Sequence, residues 1–156
     1  MEIRLAQGRD IPGMISLLYQ VGEVHHVIRP DIFCSGALKY DETALEALLQ
    51  DESKPIFVAD DGGFVVGYCF CQIRCYGGTV QTDRKELYID DLCVDELCRG
   101  QHVGQALYHH VCDYAREAGC QSVTLNVWCG NDSAMHFYEK MGLKPQKIGM
   151  EFILED

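Results

Sequence analysis

The chain has 156 residues, nearly half of them apolar, which is enough for one compact domain with a full core and leaves little for a second. A formal net charge of -11 opposes phosphate backbones and argues against a nucleic-acid binder; it leans weakly toward cationic or neutral partners, and a solvated acidic surface explains it better than a steering role does. Nine cysteines are an odd number in a domain too large to need staples, and neither a signal peptide nor an apolar run near the ~20 residues that span a bilayer is visible, so a soluble protein in a reducing, cytoplasmic compartment is expected.

In chain order, Glu2 to Ala6 reads as a first strand, and Asp10 caps a helix carrying Ile11, Met14, Ile15, Leu18 and Val21 that is expected to stop near Gly22. Residues 23–35 lack a clear period and read as an irregular second helix or lid. A short helix over Asp41 to Gln50 stops before Pro55, and Ile56 to Ala59 is the next strand. Asp61-Gly62-Gly63 is a hairpin turn into a strand from Phe64 to about Arg74; another strand, Glu86 to Val94, completes an antiparallel meander. Val103 to Ala118 has a single apolar face and ends at Gly119, Ser122 to Val127 alternates as a strand, and Asn131 or Asp132 opens a helix that reaches Met141. Lys144 to Leu154 is expected to form a final strand. The order is mixed α/β, and the strand-helix-strand unit at 86–127 suits a parallel crossover.

Metal binding is not expected. Cys69, Cys71 and Cys75 are spaced C-x-C-x3-C inside a strand-like run, where the first two share a face as small buried residues, and no C-x2-C pair exists. His109 and His110 are adjacent on a helix and point apart.

The segment Tyr88-Ile89-Asp90-Asp91-Leu92-Cys93-Val94 runs through Asp95 to Cys98 into Arg99-Gly100-Gln101-His102-Val103-Gly104, at the start of a helix. A strand entering a glycine-containing turn and then a helix presents unpaired N–H groups and a positive dipole end to an anion. Alone, it reads equally well as a tight packing turn. Neither a nucleotide P-loop nor a dinucleotide fingerprint is present.

This turn resembles the cofactor motif Gln/Arg-x-x-Gly-x-Gly/Ala of the GNAT superfamily of N-acetyltransferases, with His102 where the first glycine is usual. A second block, from Asn131 to Leu143, is similar to that family's N-x-x-A-x-x-F-Y-x-x-x-G-F/L segment. The resemblance covers residues 86–156 strongly and the first half in element order only. It implies a GNAT fold over residues 1–156: a mostly antiparallel mixed sheet, splayed between the strands at 86–94 and 122–127, with helices on both faces. It also implies acetyl-CoA as cosubstrate and direct acetyl transfer to a small-molecule or peptide amine, without metal or covalent acyl-enzyme, and a homodimer through the last strand.

By the same resemblance, backbone groups of Leu92, Cys93 and Val94 pair with pantetheine. The turn Arg99, Gly100, Gln101, His102, Val103 and Gly104 binds pyrophosphate, and Asn131 belongs to the cofactor side. Tyr138 is the expected acid for the departing thiolate, and the N–H of Cys93 or Val94 the donor to the oxyanion. An alkylammonium must first lose a proton, and the Asp90-Asp91 pair is similar to that of polyamine acetyltransferases, which nominates Asp90 as base. On a regular strand the two aspartates point to opposite faces; a bulge changes this. Glu86, His25 and His26 are further candidates for the base or a proton relay, and Cys93 is read as a small strand residue rather than a nucleophile. Two other readings are a noncatalytic acyl-CoA-binding module, for which His102 is the hint, and a cysteine-rich zinc or redox protein.

Overall fold

The computed structural model describes residues 1–155 and divides after Asn126 into two units. In the first, β1 (Glu2–Leu5), β2 (Ile56–Asp61), β3 (Phe64–Tyr76), β4 (Arg84–Val94) and β5 (Ser122–Leu125) form one sheet in sequence order. The first four strands are antiparallel and β5 is parallel to β4. The helices of this unit are α1 (Ile11–Ile28), α2 (Glu42–Leu48) and α3 (Val103–Glu117).

Strand alternation sorts the core into two layers. Ile56, Val58, Tyr68, Phe70 and Cys93 pack with Met14, Leu17 and Leu18 of α1 and Leu45 of α2. On the other face Phe57 meets the rings of His110 and Tyr114 of α3 at 5.0 and 5.1 Å. Gly67 lets α3 approach closely: a Cβ there would stand 3.0 Å from Leu107 Cδ1, 3.1 Å from the Cys93 carbonyl and 3.2 Å from Val103 Cγ1. The first turn of α3 is thereby held against β3 and β4.

Most element boundaries shift by one or two residues, and two of the differences bear on the site. Instead of stopping at Gly22, α1 continues to Ile28, because Gly22 serves a close contact rather than a stop: its missing Cβ leaves room for the Ala37 carbonyl, 3.2 Å from where that atom would lie. β5 ends at Leu125, two residues short of Val127.

In the unit that begins at Val127, α4 (Asp132–Lys140) is capped by Asn131, whose Oδ1 accepts from the Ala134 N–H. The helix closes with Gly142 at φ 93°. The strand expected over residues 144–154 does not form. Ile148, Met150, Phe152 and Leu154 alternate as a strand face would, yet all four are exposed, and a strand exists only through its ladder.

At the start of the chain Arg4 ties β1 to α1 and β2. Its Nη1 and Nη2 donate to Asp10 at 2.7 and 2.9 Å, and Nη2 also donates to Asp60 at 2.7 Å. Asp10 is the expected N-cap, but its carboxylate serves Arg4 and the Gln7 N–H instead of the amides of α1. The guanidinium holds the Asp10 carboxyl below its ordinary range. Its contribution to stability is therefore complete above the unfolded-state pKa and is lost as pH falls through the folded-state value. Arg4→Met should cost about 3 kcal/mol at pH 7 in urea unfolding, because it strands a buried carboxylate. The gap from wild type should narrow below about pH 4.

Candidate active site

The register of β3 on β4 pairs Phe70 with Asp91 and Cys71 with Ile89, so Asp90 is an extra residue in β4. Without this bulge, alternation would send Asp90 and Asp91 to opposite faces; with it, both carboxylates meet partners on the α1 side. Tyr68 Oη donates to Asp91 at 2.8 Å, and Tyr40 Oη donates to Asp90 at 2.7 Å. The two phenols are fixed by Phe70, which Tyr40 stacks at 5.4 Å and Tyr68 meets edge-on at 4.7 Å. Burial raises the pKa of the Asp91 carboxyl, against the Tyr68 hydroxyl, Lys39 and His25, which favour its charge. Both tyrosine hydroxyls are pushed up by burial first and their carboxylate partners next.

Tyr40 and Lys39 come from the segment between α1 and α2, just past residues 23–35, which were expected as an irregular second helix or lid and of which Glu23 to Ile28 belong to α1. Glu23 accepts from Ser35 Oγ at 2.9 Å and the Gly36 N–H at 2.6 Å, and His26 Nδ1 donates to the Phe33 carbonyl at 2.7 Å. Lys39 Nζ then lies 3.0 Å from Asp90 Oδ2. His25 packs against Phe33, and burial lowers its pKa, with Asp91 opposing and Lys39 adding to the shift.

Beyond Ile89 the parallel ladder stops, because β5 ends at Leu125. Pairing of β4 with β5 runs only from Glu86↔Ser122 to Ile89↔Leu125, so Asp90 to Val94 has no ladder on that edge among the described residues. The chain then passes through a short 3-10 turn, Glu96–Cys98, capped by Asp95, into Arg99, whose Nε reaches the Val94 carbonyl at 3.5 Å. Gly100 is at φ 77° and His102 at φ 62°, ψ 15°, the left-handed conformation; among the described residues His102 is the only non-glycine at positive φ. His102 caps no amide of α3, since its ring faces Gln105 Oε1 at 3.3 Å. The first amides of α3 therefore point out of an uncapped positive helix end.

The first unit thus brings together Asp90, Leu92, Cys93, Val94 and the turn Arg99 to Gly104 on one strand-turn-helix path. Asn131 and Tyr138 belong to the other unit, where the Tyr138 ring lies 5.1 Å from that of Phe137. Glu86 turns inward: it is buried, and its Oε2 accepts from Thr124 of β5 at 2.7 Å, so it fastens the two strands. Cys93 is buried with its thiol directed at the Leu17 carbonyl, and burial pushes its pKa up to about 12, far from a thiolate nucleophile. Cys69 and Cys71 do share a face, their sulfurs 3.7 Å apart. Among the described residues no three His, Cys, Asp or Glu side chains group to hold a metal ion. Sequence reading missed Lys39, Tyr40 and Tyr68. Two surface hollows of about 290 and 380 Å³ lie beside Ala6 and Leu49 and include no residue of the turn or the acid pair.

The first unit is thus a five-stranded mixed sheet whose one parallel pair ends at Ile89, followed along the chain by the uncapped start of α3. The chain belongs to the acetyltransferase (GNAT) family, whose pattern matches residues 22–143. It is 27% identical over 143 residues to the uncharacterised N-acetyltransferase YhfO of Bacillus subtilis, covering 91% of this chain and 89% of that one. It is 33% identical over 67 residues to the glucosamine 6-phosphate N-acetyltransferase of Trypanosoma brucei brucei, covering 43% and 44%. That relative and an uncharacterised N-acetyltransferase of Methanocaldococcus jannaschii, 26% identical over 101 residues and 65% of this chain, are each matched over 44% of their length, so the chain spans less than half of them. A crystal structure of a mutant BH1408 protein from Bacillus halodurans superposes with a TM-score of 0.95 at 30% identity, covering 99% of this chain and 100% of that one. An aminoglycoside N-acetyltransferase in complex with CoA, 14% identical and covering 99% and 100%, shares the fold with a TM-score of 0.73. No described helix is long and apolar enough to cross a membrane.

The left-handed backbone at position 102 costs a side chain roughly 1 kcal/mol relative to glycine. His102→Gly should therefore raise the urea-unfolding stability by about that amount, and CoA measured by calorimetry should bind equally well or better. Weaker CoA binding would assign the imidazole a ligand contact.

Proposed function

We propose that the chain is an acetyl-CoA-dependent N-acetyltransferase that transfers acetyl directly to a primary amine on a cationic small molecule or peptide. The observation that carries this reading is the unladdered edge of β4 from Asp90 to Val94, which leads through the turn at Arg99 into the uncapped start of α3. The residues present fit an acyl-CoA: left-handed Gly100 and His102 turn amides outward for a pyrophosphate, and the open edge of β4 offers peptide groups to a pantetheine chain. When bound, acetyl-CoA supplies an activated thioester.

The roles of this chain's groups follow. Backbone groups of Leu92, Cys93 and Val94 bind pantetheine, the amides from Arg99 to Gly104 bind pyrophosphate, and Asn131 is a further cofactor contact. The N–H of Cys93 or Val94 donates to the carbonyl oxygen as charge gathers there. Tyr138 gives a proton to sulfur. Asp90, directly or through a water, takes the proton from the acceptor's ammonium, and Asp91 adds negative charge behind it. The net charge of -11 and the acid pair favour a cationic acceptor, and a relative named for an amino-sugar phosphate supports an amine.

Free-thiol release from acetyl-CoA across a panel of amines tests the activity. Tyr138→Phe keeps the ring and should lower turnover about 10²-fold or more with acetyl-CoA affinity little changed. Asp90→Asn should lower kcat more than Asp91→Asn does. For the best amine, kcat/KM should fall as salt screens the attraction over about 8 Å. Full activity in both Asn variants, with rates indifferent to salt, would remove the acid pair from the chemistry.

The exposed alternation of Ile148, Met150, Phe152 and Leu154 supports a homodimer through this segment. Sedimentation should then give a dimer for the full chain and a monomer after Ile148→Glu with Phe152→Glu.

A further inference from the structure

We propose that Lys39 is a built-in occupant of the acceptor's ammonium seat, and that a substrate amine binds by displacing it. The proposal rests on the reading that Asp90 faces the acceptor, and it narrows the acceptor class.

Asp90 is the one carboxylate of the pair that already holds a primary ammonium. Lys39 Nζ lies 3.0 Å from Asp90 Oδ2 and 5.5 Å from the centroid of the Tyr40 ring, whose hydroxyl donates to the same oxygen. The carboxylate is only 16% exposed, whereas the Lys39 side chain is 45% exposed. The cation is thus a solvent-side cover on a recessed anion. Such a pair forms and opens readily, because an exposed lysine gives up rotamer freedom to hold one geometry. The seat itself is rigid: the Asp90 bulge is fixed by the β3–β4 ladder and Tyr40 by its stacking on Phe70.

The occupant also defines what the seat accepts. A lysine side chain ends in an unbranched aliphatic stem and a compact ammonium with three donors. One oxygen of Asp90 and one aromatic face suffice for that shape. The seat therefore favours an unbranched primary alkylamine, a diamine or a lysine-like side chain, over an amine borne on a ring carbon. Intramolecular competition weakens the apparent affinity by the fraction of time that the seat is open.

The test uses the whole protein and 1,4-diaminobutane in isothermal titration calorimetry. Lys39→Met keeps the stem and removes the charge, so it should tighten diamine binding about tenfold if the seat is open a tenth of the time. Lys54→Met makes the same change in net charge at the 3.8 Å Lys54–Asp51 pair outside the site and should leave affinity unchanged. Asp90→Asn added to Lys39→Met should abolish the gain. Equal tightening by Lys54→Met, or no tightening by Lys39→Met, overturns the proposal, as does absence of binding in both. Thiol release from acetyl-CoA separates the two readings. Tightening without turnover in either protein keeps the seat and removes the acetyltransferase reading. Turnover by wild type with no tightening in Lys39→Met removes the seat alone.

Discussion

One additional residue in the ladder between β3 and β4 sets the geometry of the acidic end of the site. Asp90 has no partner across from it, so the alternation shifts by one: odd-numbered residues up to Ile89 face one side and odd-numbered residues from Asp91 on face the other. Tyr68 and Cys93 can then both face α1 while Ile89 and Leu87 face α3, and each side of β4 remains apolar where it must be buried. The two carboxylates are the exception on the α1 side. Their presence there is tolerable because each has a phenol as donor, and both phenols are braced by one ring, that of Phe70.

The other end of the strand obeys a different constraint. Gly67 has no side chain to keep α3 away, so Val103 and Leu107 of the helix pack directly over β3. The left-handed residues Gly100 and His102 make the reversal that this closeness demands. His102 accepts a backbone conformation that costs any side chain, and its ring then turns along the helix toward Gln105 rather than back over the first amides. Strain and an uncapped helix end thus arise from the same residue, a combination associated with functional turns.

Much of this was legible in the sequence for simple reasons. The single apolar face of α3, the Asp61-Gly62-Gly63 turn before β3 and the helix start at Asn131 are local signals, and those elements stand close to where the signals put them. The turn at Arg99 was legible as a pattern, and the left-handed residue at His102 was legible as a misplaced glycine. The side to which Asp90 turns was not, because a bulge is decided by the partner strand and leaves no mark in its own residues. The continuation of α1 through Gly22 failed for a similar cause: glycine signals both a stop and a close approach, and only the Ala37 carbonyl tells which. Residues 144–154 carried alternation without a ladder, and alternation cannot report whether a neighbour exists. Lys39 and Tyr40 reach Asp90 across 50 positions or more of sequence, beyond any local pattern.

The pairing of β4 with β5 also fixes an order of events during synthesis. β1 to β4 are antiparallel neighbours, and β2 to β4 can zip as each emerges. β5 is parallel, so it must wait for the whole of α3 to cross over, and its first pair joins residues 86 and 122. Until then the Glu86 to Ile89 edge of β4 is bare. A nascent chain paused before Ser122 would display an unpaired strand edge to its neighbours on a polysome. The strand that leaves part of β4 uncovered by ending early is therefore the same strand that, by arriving late, ends the period in which the sheet can join the wrong chain.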